Sequence, residues 1–83
     1  MTLRYWASLR AAAGRTEDVV DADTVGLALD KARRLHGAQP RFAAVLAICS
    51  VVVDGSPAGR RDHSTIPLRD GAVVELLPPF AGG

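Results

Sequence analysis

The groups best suited to chemistry lie at the carboxyl end of the chain. It finishes Leu76-Leu77-Pro78-Pro79-Phe80-Ala81-Gly82-Gly83, with no charged residue after Glu75. Residues 78–83 reach at most about 20 Å from whatever anchors them. Pro78 and Pro79 favour a stiff, extended base. Phe80 offers an aromatic anchor for a partner's pocket. Gly82 and Gly83 lack a Cβ, so they pass through a narrow channel in any backbone conformation. The reactive group at the tip is the α-carboxylate of Gly83. A carboxylate is a poor electrophile at neutral pH and must become an acyl-phosphate or acyl-adenylate before a nucleophile can attack it. The glycines upstream, such as Gly14, Gly26 and Gly37, are scattered and form no phosphate-binding loop. An enzyme partner is therefore expected to supply ATP, and residues 78–83 read as a flexible substrate arm.

Other constellations are weaker. Cys49, His36 and His63 match no metal-ligand spacing, and both histidines read as surface or loop residues. Cys49 is in phase with Val51 and Val53, which suits a small buried hydrophobe. A nucleophilic Cys49 paired with a distant histidine is the alternative. Asp62, His63 and Ser64 are adjacent, and adjacent residues rarely converge in triad geometry; no nucleophile elbow surrounds the serine. Arg41, Arg60, Arg61 and Arg69 read as a solvated face, or alternatively as a surface for an acidic partner.

The elements that position the tail fit one domain. The chain has 83 residues, 48% hydrophobic and 23% charged, which is globular composition. Ten basic against nine acidic residues give a net charge of +1, without the basic stripe expected of a nucleic-acid binder. The apolar stretch from Phe42 to Val53 is too short to span a bilayer. A single cysteine excludes an internal disulfide, so the cytoplasm is the expected compartment.

Alternation over Thr2–Leu9 predicts a strand with Leu3, Tyr5 and Ala7 on one side and Trp6 on the other. A helical turn over Leu9–Ala13 closes at Gly14. Glu17–Ala22 is the second strand. The clearest helix runs from Val25 to His36, with Val25, Ala28, Leu29, Ala32 and Leu35 in one stripe. Asp23 or Thr24 caps its start, Asp30 pairs with Arg34 on its outer face, and Gly37 ends it in a left-handed cap. Pro40 opens a shorter helix. Ile48–Val53 is a β-branched strand, followed by an Asp54-Gly55 turn. Ala58–Arg61 is a weak strand, His63–Leu68 a loop or 3₁₀ turn, and Ala72–Leu77 the last strand, stopped by the two prolines. Strands around one main helix predict an α+β domain over residues 1–77, with a sheet covered on one face.

This pattern resembles the small sulfur carriers of the MoaD/ThiS family, which have the ubiquitin-like β-grasp fold with a mixed sheet. The resemblance covers nearly the whole chain. It rests on Tyr5-Trp6-Ala7, the Leu9-Arg10-Ala11 turn, the central helix, Asp54-Gly55, Asp70-Gly71 and the tail. The Leu-Pro-Pro-Phe-Ala-Gly-Gly form is most similar to the small subunit of molybdopterin synthase, the MoaD-like branch. Much of that family has asparagine where this chain has Asp54, and Cys49-Ser50 is less typical of it.

The resemblance implies that Gly83 is adenylated by a ubiquitin-activating-type (MoeB-like) adenylyltransferase and converted to a thiocarboxylate with sulfur from a donor enzyme. Pro78, Pro79, Phe80, Ala81 and Gly82 would insert into the large (MoaE-like) synthase subunit. There the sulfur would pass to cyclic pyranopterin monophosphate, in molybdenum cofactor biosynthesis. ATP and zinc would belong to the activating enzyme, with no cofactor or metal on this chain, which would be a carrier without an active site of its own.

Parallel pairing of the first and last strands would put Trp6 and Leu77 on the face away from the helix. With Pro57 they would form a docking patch at the root of the tail. A loop covering Trp6 is the alternative. Trp6→Ala is expected to weaken complex formation more than folding. Other readings of the chain are a carrier serving thiazole, cysteine or tRNA thiolation, a ubiquitin-type modifier, a binding module with incidental glycines, and an enzyme using Cys49 or His63.

Overall fold

The computed structural model describes residues 1–79. Phe80, Ala81, Gly82 and Gly83 of the expected tail lie outside the described residues. The elements in chain order are β1 (Thr2–Tyr5), α1 (Ala7–Ala13), β2 (Glu17–Val19), α2 (Val25–Leu35), α3 (Pro40–Leu46), β3 (Ser50–Val53), β4 (Ser56–Pro57), a 3₁₀ turn (His63–Thr65) and β5 (Val73–Leu77). The five strands form one mixed sheet in the order β2-β1-β5-β3-β4. β1 and β5 pair in parallel at its centre, with Leu3 opposite Val74 and Tyr5 opposite Leu76. Their inward side chains, Leu3, Tyr5, Val74 and Leu76, are buried against Val25, Ala28, Leu29 and Ala32 of α2. The alternating strands and the helical stripe thus meet in one core, with Leu9, Phe42 and Leu46 closing its end.

Thr24 caps α2, accepting from the Leu27 amide at 3.2 Å. Gly14 ends α1 at φ 75° as the turn chemistry requires. The Asp54-Gly55 hairpin has φ 46° and 84°, the left-handed pair of a type I′ turn.

Several boundaries differ from the sequence pattern. β1 stops at Tyr5 rather than Leu9, because Ala7 takes φ 49° and turns the chain into α1. Ala7 therefore leaves the Leu3–Tyr5 face and is exposed. β2 stops at Val19. The strand after the Asp54-Gly55 turn is Ser56–Pro57, because a two-residue turn places Ser56 opposite Val53; Ala58–Arg61 is not a strand. Leu35, at the margin of the helical stripe, is 57% exposed, where α2 borders the open edge of β2 beside Val19 and Val20. Gly37 does not take a left-handed conformation; His36 ends the helix instead. Asp30 pairs with Arg33 at 2.7 Å rather than with Arg34.

Candidate functional site

The last strand of the sheet carries the chain into an open apolar groove of about 870 Å³. Trp6, Leu77, Pro57, Val52, Pro78 and Pro79 line it, with Cys49, Ser50 and His63 among its other walls. Three separate elements bring Trp6, Leu77 and Pro57 together. Leu77 ends β5 opposite Ser50 of β3, and Pro57 lies opposite Val52 across the β3–β4 hairpin. Trp6 stands where β1 leaves the sheet: its amide donates to the Leu76 carbonyl at 3.2 Å, and its own carbonyl accepts from Leu9 at 3.0 Å. The left-handed Ala7 next to it makes that turn, a conformation that costs a non-glycine residue about 1–2 kcal/mol. The indole is left 38% exposed. Pro78 and Pro79 continue β5 along the groove, so the sheet anchors the root of the tail.

Beside the groove, Arg4 lies between Glu17 and Glu75 on the face away from α2 and sits 3.8 Å from the Glu17 carboxylate. A charged row thus borders the groove on this face of the sheet. The Asp54 carboxylate accepts from the Val73 amide at 2.9 Å and the Asp54 amide donates to the Val73 carbonyl at 2.9 Å, which fixes where β5 begins. An asparagine there keeps the same acceptor.

The remaining sequence candidates do not form a reactive centre. Cys49 precedes β3 rather than lying in it. Its thiol donates to the Val45 carbonyl at 3.3 Å, and burial pushes it up to about 11. It is a protonated thiol at neutral pH, which does not suit a nucleophile. The Ser64 hydroxyl and amide both donate to Asp62, at 2.7 and 2.9 Å. These bonds hold the Asp62 carboxyl below its usual range and cap the 3₁₀ turn. His63 does not stand between Ser64 and Asp62, so this is no triad. Among the described residues, no group of three or more His, Cys, Asp or Glu side chains is placed to hold a metal ion.

His36 corrects the surface reading of both histidines: it is buried, and its Nε2 lies 2.7 Å from Asp18 Oδ2. The Tyr5 hydroxyl donates to the same oxygen at 2.7 Å, and Arg15 donates to Oδ1 at 2.8 Å. Burial opposes charge on Asp18, but the hydrogen bonds from Tyr5, His36 and Arg15 outweigh it and hold the carboxyl below its usual range. Burial, then the bond to Asp18, pushes the Tyr5 phenol well up, so it stays a donor. His36 also packs on Phe42 with ring centroids 4.4 Å apart. The network ties β2 to β1 and to the end of α2. Its sequence signal was weak: Asp18 is an inward position of a three-residue strand, and His36 lies 18 residues away.

The model of the ThiS family matches residues 3–83. The chain belongs to the ThiS family. Its fold agrees with solved β-grasp structures over almost the full length. The crystal structure of small archaeal modifier protein 1 from Haloferax volcanii is 28% identical, with a TM-score of 0.77 over 100% of this chain and 98% of that one. The solution structure of small archaeal modifier protein 1 from Methanosarcina acetivorans is 21% identical, with a TM-score of 0.75 over 99% and 94%. A protein–protein complex of subunits 1 and 2 of molybdopterin-converting factor from Helicobacter pylori contains a chain 21% identical, with a TM-score of 0.64 over 99% and 96%. No curated protein matches the sequence. This ThiS-family chain thus has the ubiquitin-like β-grasp fold of the sulfur-carrier ThiS/MoaD type. Among the described residues, no helix is long and apolar enough to cross a membrane.

Proposed function

We propose that this ThiS-family chain is the sulfur-carrier subunit of a molybdopterin synthase in the cytoplasm. The Gly83 carboxylate attacks the α-phosphorus of ATP on a zinc-containing adenylyltransferase, releasing pyrophosphate and leaving an acyl-adenylate. A sulfur nucleophile from a donor enzyme displaces AMP, so that a carbon–sulfur bond replaces a carbon–oxygen bond. The thiocarboxylate sulfur then attacks a side-chain carbon of cyclic pyranopterin monophosphate on the large subunit, and the carbon–oxygen bond at that carbon breaks, its oxygen leaving as water, as the carbon–sulfur bond forms. Water cleaves the acyl–sulfur bond, which leaves sulfur on the pterin and a carboxylate on Gly83 for recharging. Residues 78–82 thread the large subunit, and Trp6, Leu77 and Pro57 dock against it.

The observation that carries this reading is the central strand β5 running straight into Pro78-Pro79 beside an apolar groove, in a chain whose family match extends through Gly83. The likeness to subunit 1 in the molybdopterin-converting factor complex supports the choice of pathway. The likeness to small archaeal modifier protein 1 supports a second reading, in which Gly83 is joined to lysines of other proteins. Reconstitution separates them. With adenylyltransferase, ATP, sulfur donor, large subunit and pterin, the full chain should support molybdopterin formation, and a chain lacking Gly82 and Gly83 should not. Charging of Gly83 without molybdopterin would redirect the sulfur to thiazole, cysteine or tRNA. Isopeptide-linked conjugates in cells would favour the modifier.

A further inference from the structure

A second surface lies at the opposite edge of the sheet and shares no residue with the tail groove. β2 is an edge strand, and its backbone alternates between its partner and the open edge. The Met1 α-ammonium donates to the Val20 carbonyl at 2.9 Å, the Val20 amide donates to the Met1 carbonyl at 3.0 Å, and the Tyr5 amide donates to the Thr16 carbonyl at 2.8 Å. With Leu3 opposite Asp18, the backbone groups of Thr16, Asp18 and Val20 face β1. Those of Glu17 and Val19 face outward, and no described residue pairs with them. The other edge differs: β4 has two residues, and one of them, Pro57, has no amide to offer.

The open edge has a side-chain setting to match. A groove of about 360 Å³ runs between it and α2, lined by Val19, Val20, Asp21, Lys31, Arg34 and Leu35. Val19 is 76% and Leu35 57% exposed, and Leu27, on the Leu27–Lys31–Leu35 row of α2, is 50% exposed. Three of the five exposed large hydrophobics among the described residues thus flank one edge. Two cations line the groove against the carboxylate of Asp21. Lys31 donates to the Asp21 carbonyl, and neither Lys31 nor Arg34 is within ion-pair distance of a carboxylate among the described residues.

We propose that β2 takes an extended segment of a partner protein as a sixth strand. That segment is apolar at its centre and acidic at one end. The amides and carbonyls of Glu17 and Val19 bond its backbone, Val19, Val20 and Leu35 pack its apolar side chains, and Lys31 and Arg34 face its carboxylates. A second copy of this chain fits less well, because pairing β2 with itself brings Lys31 and Arg34 of both copies together. Occupancy of this edge leaves the tail groove free, so the chain can be held by one partner while Gly83 is delivered to another.

The test is an amide-resolved NMR titration of the full chain with a capped peptide. The peptide has a Val-Ile-Val centre and a C-terminal run of glutamates; its control has lysines in their place. The proposal expects fast exchange of the Glu17 and Val19 amides in the free chain, and protection of both when the glutamate peptide binds. The lysine peptide and the Lys31→Glu/Arg34→Glu chain should each bind at least about tenfold more weakly. Arg34→Glu alone, which leaves the Lys31–Asp21 contact in place, should weaken binding in the same direction. Absence of shifts at Glu17 and Val19 at millimolar peptide, or equal binding of both peptides, overturns the proposal. So does protection of these amides that grows with protein concentration without peptide, which would assign the edge to a second copy.

Discussion

Replacing Trp6 by alanine tests how the groove is used. Trp6 is 38% exposed. A tryptophan side chain offers up to about 250 Å². About 95 Å² therefore remains for a partner to cover, worth about 2.4 kcal/mol at 25 cal/mol per Å². That corresponds to a roughly fifty-fold rise in Kd. The chain itself covers the other part, about 155 Å². After subtracting what an alanine still buries, and the compactness of the unfolded chain, folding should lose about 2 kcal/mol. The two effects are comparable in size. They separate by assay. Urea unfolding reports the first, and calorimetric titration of the folded variant into the large subunit reports the second. A loss of about 2 kcal/mol leaves a domain of ordinary stability folded. Val19→Ala, at the far edge of the sheet, should leave this affinity unchanged. An affinity for Trp6→Ala within about twofold of the parent chain would refute the assignment of the groove as a docking surface.

Three further outcomes follow from the geometry. Asp18 has a lowered folded pKa, so its contribution is fully present above the unfolded value near 4 and disappears as pH falls through the folded one. Asp18→Asn should lower stability at pH 6 by about 1–3 kcal/mol and flatten the acid limb of the urea midpoint, whereas an unchanged acid limb would count against the network. Asp54→Ala should cost about 1–2 kcal/mol in thermal or urea unfolding by losing the bond to Val73 and straining a left-handed position, while Asp54→Asn should stay close to the parent. Ala7→Gly should be stabilising by about 0.5–1 kcal/mol despite glycine's greater entropy, and a destabilised variant would show that φ 49° at Ala7 carries no strain.

The layers of this fold were legible because three patterns agreed: alternation in β1 and β5, the stripe of α2, and the Asp54-Gly55 turn. The alternation gives the phase of Trp6 and Leu77, and the parallel pairing of β1 and β5 then sets them together with Pro57. What was hidden depended on single backbone angles or long-range partners. Alternation runs on to Leu9 in the sequence, and only the left-handed Ala7 stops it. His36 looked like a helix-end surface residue because its partner Asp18 belongs to another element. Leu35 continues the stripe but lies at its margin, over the open edge of β2, the last strand of the sheet on that side. The open edge of β2 could not be read at all, since strand order is a property of the whole sheet.

The proposed function turns on sulfur carried by Gly83. The most direct measurement is an intact mass of the chain from its native cells, without reducing or alkylating agents, with the carboxyl-terminal peptide sequenced. The same measurement should follow incubation with adenylyltransferase, ATP and sulfur donor. One oxygen of the Gly83 carboxylate should be replaced by sulfur, and a Gly83 adenylate should form when the donor is left out. A Gly83 that forms neither species with the complete activating system would contradict the proposed function.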